Sequence, residues 1–437
     1  MKKFIIQNSI FNILFFVLLF SAQPHAQSLT SSPYSRYGLG ELITPSFVQS
    51  FSIGGLGIAL QNDSTTPFNI NVSNPASYVS TRITTYEAGF YSSLVKQESK
   101  DASQLNSNNS LGYLSFCLPI SNYWASSFGL IPYSSVGYKI SNQEYVDSIG
   151  KVNNLFQGSG GINRFYFGNS FRLKNFFIGI NASYLFGTIQ QVGKLEFPAN
   201  NYFNILRNHS TNIGDFYFDY GAQYLQRINN DWSIVLGATA ALSTKINAKS
   251  TVLSQTYVPG IYYDIIKDTV QNISTNGNVT LPLAIGGGLM IKKGQNLMIG
   301  AEYAVQDWSN YTYFGLKGEE LKLKNNVKMA IGAQFVPDRA ATIKGSYWSR
   351  VFYRAGFRYS DNYLNLKNTP SNEYALSFGF GLPVGRNRQM QQCNIVNLGI
   401  ELGERGTINN GLIKEQFVKL LLGLSLNDRW FIKSKID

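Results

Sequence analysis

Histidine is almost missing from this chain of 437 residues, and its scarcity removes more chemistry than any other feature. There are two histidines and two cysteines. His25 lies in an N-terminal stretch expected to be cleaved, which leaves His209 as the single imidazole of the mature chain. With one histidine, a nucleophile–His–acid set and most metal sites have no basis. The sequence also lacks HExxH, Gly-x-Ser-x-Gly, Cys-x-x-Cys and a Walker loop. No enzymatic activity, metal or cofactor is therefore expected. Cys117 and Cys393 are far apart and read as packing residues. Charge is scarce too, at 14% of residues against about 25% in ordinary soluble domains. After Ala26 no apolar run approaches the ~18 residues of a membrane helix.

What is present begins with a leader. Lys2 and Lys3 precede an apolar core from Ile10 to Ala22, and Pro24-His25-Ala26 supplies a small-residue cleavage point. About a dozen apolar residues cannot span ~30 Å of hydrocarbon, so residues 1–26 read as a secretory signal peptide. No cysteine follows to carry a lipid anchor. The formal charge of +12 falls to +10 once Lys2 and Lys3 are lost. An exported basic chain is expected to meet outer-membrane lipid and lipopolysaccharide, and no nucleic acid.

The 27 tyrosines, 30 phenylalanines and 40 glycines are arranged with a period of two. In 177–188, Ile178, Ile180, Ala182, Tyr184 and Phe186 share one face, opposite Gly179, Asn181, Ser183 and Gly187. Trp232 to Leu242 and Tyr374 to Leu382 alternate in the same way. Side chains of a strand point to opposite faces in turn, so each segment is a strand with one apolar and one small or polar face. A soluble sandwich buries such faces between sheets, whereas a membrane barrel points them at lipid. The export signal, strand length and aromatic load favour the barrel.

About fourteen such segments are expected: 85–95, 110–119, 123–138, 159–172, 175–190, 212–227, 230–247, 280–292, 295–309, 326–336, 350–361, 373–383, 394–404 and 413–426. Short turns near Ser121-Asn122, Lys174, Asn229-Asn230 and Lys293-Gly294 alternate with connections of roughly 13 to 33 residues, the pattern of an outer-membrane barrel. The fold class is all-β, a transmembrane antiparallel barrel over 85–437. Residues 27–84 do not alternate, yet keep Tyr34, Leu39, Phe47, Phe51, Ile53 and Leu56. Apolar content of that kind favours burial, so this segment is expected to be an N-terminal hatch or plug in the lumen.

Glycine runs at 53–57 and 286–288 lack the strand-then-helix setting of a phosphate loop; the second reads as room within a strand. Glu87, Glu302, Lys328, Arg354 and Arg358 fall on inward faces. They read first as lumen salt-bridge residues. Alternatively Glu302, Lys328, Arg354 and Arg358 contact a ligand, since arginine holds a carboxylate well.

Gly54-Gly55-Leu56-Gly57-Ile58-Ala59 followed by Asn74-Pro75-Ala76 resembles the N-terminal hatch of the FadL/TodX family of outer-membrane hydrophobic-compound transporters. Leu281-Pro282, Ala301-Glu302-Tyr303 and Asp307-Trp308-Ser309 resemble strand segments of the same family. The resemblance covers most of 33–431; the chain departs from it by running past Trp430-Phe431 to Asp437. It implies a plugged fourteen-stranded barrel in the outer membrane of a Gram-negative bacterium. It also implies passive uptake of a hydrophobic small molecule such as a long-chain fatty acid. On that reading Gly54, Gly55, Gly57, Asn74, Pro75 and Ala76 form the hatch and its gate. Phe197, Tyr202, Phe203, Ile261, Tyr262 and Tyr263 form an outer capture surface. The alternative is a non-transporting relative partnered with other outer-membrane proteins: a scaffold or shuttle subunit of type IX secretion, or a barrel-assembly accessory.

Overall fold

The computed structural model describes residues 30–62, 68–147, 149–198, 202–317, 323–338, 346–366, 369, 371–387 and 392–428. The expected signal peptide, the stretch after 428 and the side chain of Cys393 lie outside them. Cys117 is buried, as a packing residue should be.

Fourteen wall strands form one closed antiparallel sheet. They are β1 (Thr84–Glu98), β2 (Ser103–Pro119), β3 (Trp124–Val146), β4 (Gly150–Leu173), β5 (Phe176–Glu196) and β6 (Asn204–Arg227). Next come β7 (Trp232–Ala241 with Thr244–Val258) and β8 (Ile265–Leu281 with Ala284–Lys293). The ring continues through β9 (Leu297–Gln306), β10 (Asn326–Phe335), β11 (Phe352–Asp361), β12 (Asn372–Asn387), β13 (Gln392–Gly406) and β14 (Lys414–Asp428). It closes where β14 pairs with β1, from Lys414 opposite Glu98 to Asp428 opposite Thr84. β8 breaks at Pro282, which has no N–H for the ladder. Among the described residues no helix is long and apolar enough to cross a membrane; the strands do so instead.

The alternation faces as expected. Phe176, Ile178, Tyr184 and Phe186 of β5 are exposed on the outside, while Asn181 and Ser183 are buried inside. The same holds for Tyr374, Leu376, Phe378 and Phe380 of β12. A continuous exposed apolar surface of this extent is a lipid-facing one. Tyr123, Trp124, Phe171, Phe176 and Trp232 gather at the end that carries the short turns, as an aromatic girdle at a membrane interface does.

Strand ends depart from expectation in one consistent way. The stretches 139–158, 191–211 and 248–279, expected as long loops, are mostly strand. β3 runs to Val146, β5 to Glu196 and β7 to Val258. The true connections there are only 147–149, 197–203 and 259–264. Beyond the lipid both faces meet water, so the apolar–polar contrast vanishes while the ladder continues. Long connections remain at 307–325 and 362–371.

The N-terminal segment lies against the inner wall. It contains a 3-10 turn (Pro33–Arg36), a single helical turn, α1 (Val48–Phe51), and a second 3-10 turn (Pro75–Ser80). Phe47, Val48, Ile70, Val72 and Tyr78 are buried with Tyr113, Tyr166 and Leu421 of the wall. Phe47 stacks on Tyr113 with ring centroids 3.8 Å apart. Each such side chain contributes roughly 1.5–3 kcal/mol. Inward glycines make the approach feasible. A Cβ on Gly356 would stand 2.1 Å from the Gly54 nitrogen, and one on Gly332 2.2 Å from the Ile53 carbonyl oxygen.

Gly356→Val should therefore dislodge the segment and leave the barrel intact, with overpacking of about 1–3 kcal/mol. Limited chymotrypsin digestion of the folded barrel should then cut at Phe51 while heat-modifiable gel migration stays native. Gly287→Val, where a Cβ meets nothing within 4 Å, should resist like the wild type.

Candidate functional site

The glycine run of the N-terminal segment forms a binding turn, and its ligand is the protein's own carboxylate. Gly54 and Gly55 hold φ of +79° and +78°, the left-handed region that a side chain disfavours. The chain then turns so that the N–H groups of Gly57, Ile58 and Ala59 all donate to Oε1 of Glu302, at 2.8, 2.5 and 3.2 Å. Successive N–H groups converging on one anion form a nest. Glu302, expected as a ligand contact, holds the segment through this oxygen. Gly54 N–H also donates to Ser377 Oγ at 2.9 Å.

Asn74-Pro75-Ala76 makes the second attachment. Asn74 caps the turn Pro75–Ser80, its side chain accepting from Ala76 N–H at 3.0 Å, and Pro75 occupies the first position, where no N–H is required. The Asn74 amide donates to the Ile58 carbonyl at 2.7 Å and reaches the carbonyls of Ala222 and Ala238 at 3.2 and 3.3 Å. Ser170 Oγ donates to the Ala76 carbonyl at 2.8 Å, and Tyr78 OH to Asn181 Oδ1 at 2.9 Å. One tripeptide thus engages β4, β6 and β7. A third attachment lies beside β1, where Glu87 accepts from Ile70 N–H at 3.1 Å and Ser425 Oγ at 2.9 Å.

At the opposite end of the lumen the attachment is ionic. Arg405 reaches Glu41 of the segment at 2.9 Å and, on the wall, Glu415 at 2.6 Å and Glu373 at 3.7 Å. Arg358 pairs with Glu373 at 2.7 Å and Glu401 at 3.1 Å. Burial pushes the Glu41 carboxyl up, but the Arg405 charge and hydrogen bond outweigh it and hold the group at about 2. The sign follows: this contribution is complete above the ordinary value of 4.5 and is lost only as pH falls through about 2. Tyr34 OH donates to the Ile413 carbonyl, and Tyr363 OH to the Gly40 carbonyl at 2.6 Å.

Arg354 and Arg358, four residues apart on one face of β11, reach different partners. Arg354 donates to Gln334 and Asn397, each at 2.7 Å, and Arg358 belongs to the carboxylate cluster. Between the segment and the wall a cavity of about 450 Å³ is lined by Phe51, Tyr91, Tyr133, Tyr217, Glu302, Lys328 and Arg358. Among the described residues Lys328 makes no ion pair. Phe197 and Tyr202 pack at 5.5 Å between ring centroids, and Phe203 is exposed nearby. Ile261, Tyr262 and Tyr263 stand at the tip of the β7–β8 hairpin, 94, 92 and 77% exposed. The structure places both groups away from the cavity, on two tips tied together by Lys194–Asp264 at 2.5 Å. Arg405, Glu41 and Ser377 were not singled out from sequence. Only the inward phase of Ser377, opposite Leu376 and Phe378, could have flagged one of them.

Glu302→Ala leaves three N–H groups without their acceptor, a loss of about 1–3 kcal/mol. Amide exchange at Gly57, Ile58 and Ala59 should quicken roughly five- to hundredfold, with Glu302→Gln intermediate and amides of β12 unchanged.

The fold and these attachments can be set beside known proteins. Structures similar to this one include the CymD monoaromatic hydrocarbon channel (TM-score 0.51, 11% identity, covering 90% of this chain and 99% of that one). A Pseudomonas aeruginosa FadL homologue matches with TM-score 0.53 and 10% identity over 88% of this chain and 98% of that one. The Pseudomonas putida toluene transporter TodX matches with TM-score 0.50 and 13% identity over 88% and 98%. At such identity the likeness is one of fold: an integral outer-membrane barrel of the FadL kind. No curated protein matches the chain. A family model does, over residues 5–437, and by that match the chain belongs to the BamG family.

Proposed function

We propose that the N-terminal segment is a standing plug, and that this barrel serves as a subunit of an outer-membrane protein assembly in a Gram-negative bacterium. The observation that carries this reading is Arg405, held between Glu41 of the segment and Glu415 and Glu373 of the wall. Withdrawing Glu41 removes one charge-assisted hydrogen bond from a partly buried Arg405, which keeps Glu415 and Glu373 on the wall; a bond of that kind contributes about 1.5–3 kcal/mol. The Glu302 nest and Asn74 add two further attachments at other strands. A gate needs a second arrangement that satisfies all of these groups of the segment at once. Of the assemblies the sequence resemblance suggests, the family name BamG fits a barrel-assembly accessory better than a type IX shuttle.

A second reading, uptake of a hydrophobic compound, draws support from the aromatic-walled cavity and from Lys328, whose ammonium faces it beside Glu302. An apolar ligand carrying a carboxylate suits that pairing of surfaces.

Extraction of the native membrane in mild detergent separates the two. A subunit should migrate as a stoichiometric complex with another outer-membrane protein, and depleting it should lower the surface level of other barrel proteins. Lipid mass spectrometry should find the cavity free of fatty acid. A lone barrel holding a fatty acid, which Lys328→Met releases, overturns the subunit reading.

A further inference from the structure

The wall ladder is incomplete at one seam. β2 pairs with β1 over Ser103–Cys117, but with β3 only from Leu114 opposite Leu130 to Pro119 opposite Ala125. Among the described residues, no strand pairs with the β3-facing edge of β2 from Ser103 to Tyr113.

The facing lip is built differently. β3 bulges between Pro132 and Ser134 and is paired by the N-terminal segment: Glu41 lies opposite Ser135 and Leu42 opposite Ser134. Ile43 N–H donates to the Tyr133 carbonyl at 3.0 Å. Gly40 permits the approach, because a Cβ there would stand 2.5 Å from the Ser135 carbonyl oxygen. The seam therefore already accepts one added strand, on one lip only.

The free lip also breaks the rule of the wall. Ser107 and Asn109 are exposed on the outer face of β2, opposite Leu94 and Ser92. Their ladder rows continue through Val418 and Leu420 to Leu402 and Ile400, then to Leu376 and Phe378. In those rows the other strands from β12 to β14 present apolar residues to lipid. On the inner face Asn108 and Ser110 line the cavity. Asn106–Ser110 is thus polar on both faces and lacks a partner on one edge. A lipid tail satisfies neither the edge N–H and C=O groups nor the outward amide, and open sheet edges do not persist in contact with lipid.

We propose that the free edge of β2 receives an extended strand from a second protein, pairing main chain to main chain over Gln104–Tyr113. Strand addition of this kind takes its affinity from backbone hydrogen bonds and its selectivity from alternate side chains. The incoming strand lies with one face toward lipid and the other toward Asn106, Asn108 and Ser110. It therefore alternates apolar and polar residues, as a barrel strand does. This inference rests on the subunit reading above and names the surface that reading leaves open.

Photoreactive p-benzoylphenylalanine placed in living cells at Leu105, Ser107, Asn109 and Leu111 tests it, with Leu376, Ile400 and Leu420 as outward controls. The expected result is one protein adduct at the seam. Its cross-linked residues, mapped by mass spectrometry, should advance in two-residue steps along a single segment. Controls should yield lipid adducts. Lipid adducts alone at the seam, or protein adducts without an ordered register, overturn the proposal. If a partner cross-links only elsewhere on the barrel, the seam is excluded while the subunit reading stands. A barrel that extracts alone in mild detergent sinks both.

Discussion

The structure depends on a close approach of two backbones. Along the inner wall, Gly179, Gly221, Gly237, Gly332, Gly356 and Gly379 each face the N-terminal segment so tightly that a Cβ would fall 2.0–2.4 Å from one of its atoms. Glycine within a strand sacrifices about 0.5–1 kcal/mol through backbone freedom. That sacrifice recurs on six strands because the segment's hydrogen bonds and buried side chains depend on the contact. The barrel's interior is shaped as a mould of the segment.

Packing against glycine gives proximity, while charge gives register. The lumen end opposite the turns clusters Arg405, Arg358 and Lys419 against Glu41, Glu373, Glu401 and Glu415. Arg405 forks across Glu415 and Glu41 and so ties the segment's carboxylate to the wall. A ligand can shift such an arrangement only by its differential affinity for the displaced state. Several attachments of a few kcal/mol each make that demand large for a small hydrophobic molecule, which makes few directional contacts.

Much of this was legible in the sequence wherever water and lipid differ. The fourteen wall strands and the facing of Ile178, Phe378 and their neighbours follow from period-two contrast, which the bilayer imposes. Contrast fails where both faces are wet, so β7 beyond Asn247 and β8 before Thr280 read as loop although their ladder continues. Gly286 and Gly288 read as local room in a strand, without any sign of what fills it; Ile58 and Ala59 do. Arg354 and Arg358 share a face, but partners come from neighbouring strands, and a single strand's phase does not reveal them. Arg405 lay just past the expected end of its strand, where the alternation no longer pointed anywhere.

The attachments and the seam belong to one argument. From β4 round to β12 the segment is fastened to inner faces, through Ser170, Asn181, the carbonyls of Ala222 and Ala238, Glu302 and Ser377. Those strands are fully paired to their neighbours over the lipid-facing span. Between β2 and β3 the arrangement inverts: the ladder is short, and the segment contributes a strand to the wall itself at Glu41–Leu42. Over the lipid-facing span, the described wall therefore has at this seam a sector where added backbone gains partners without breaking any. That asymmetry follows from a bulge at Pro132, which has no N–H to donate, and from a polar β2. Together they place unspent hydrogen-bonding capacity on the molecule's side, facing the membrane.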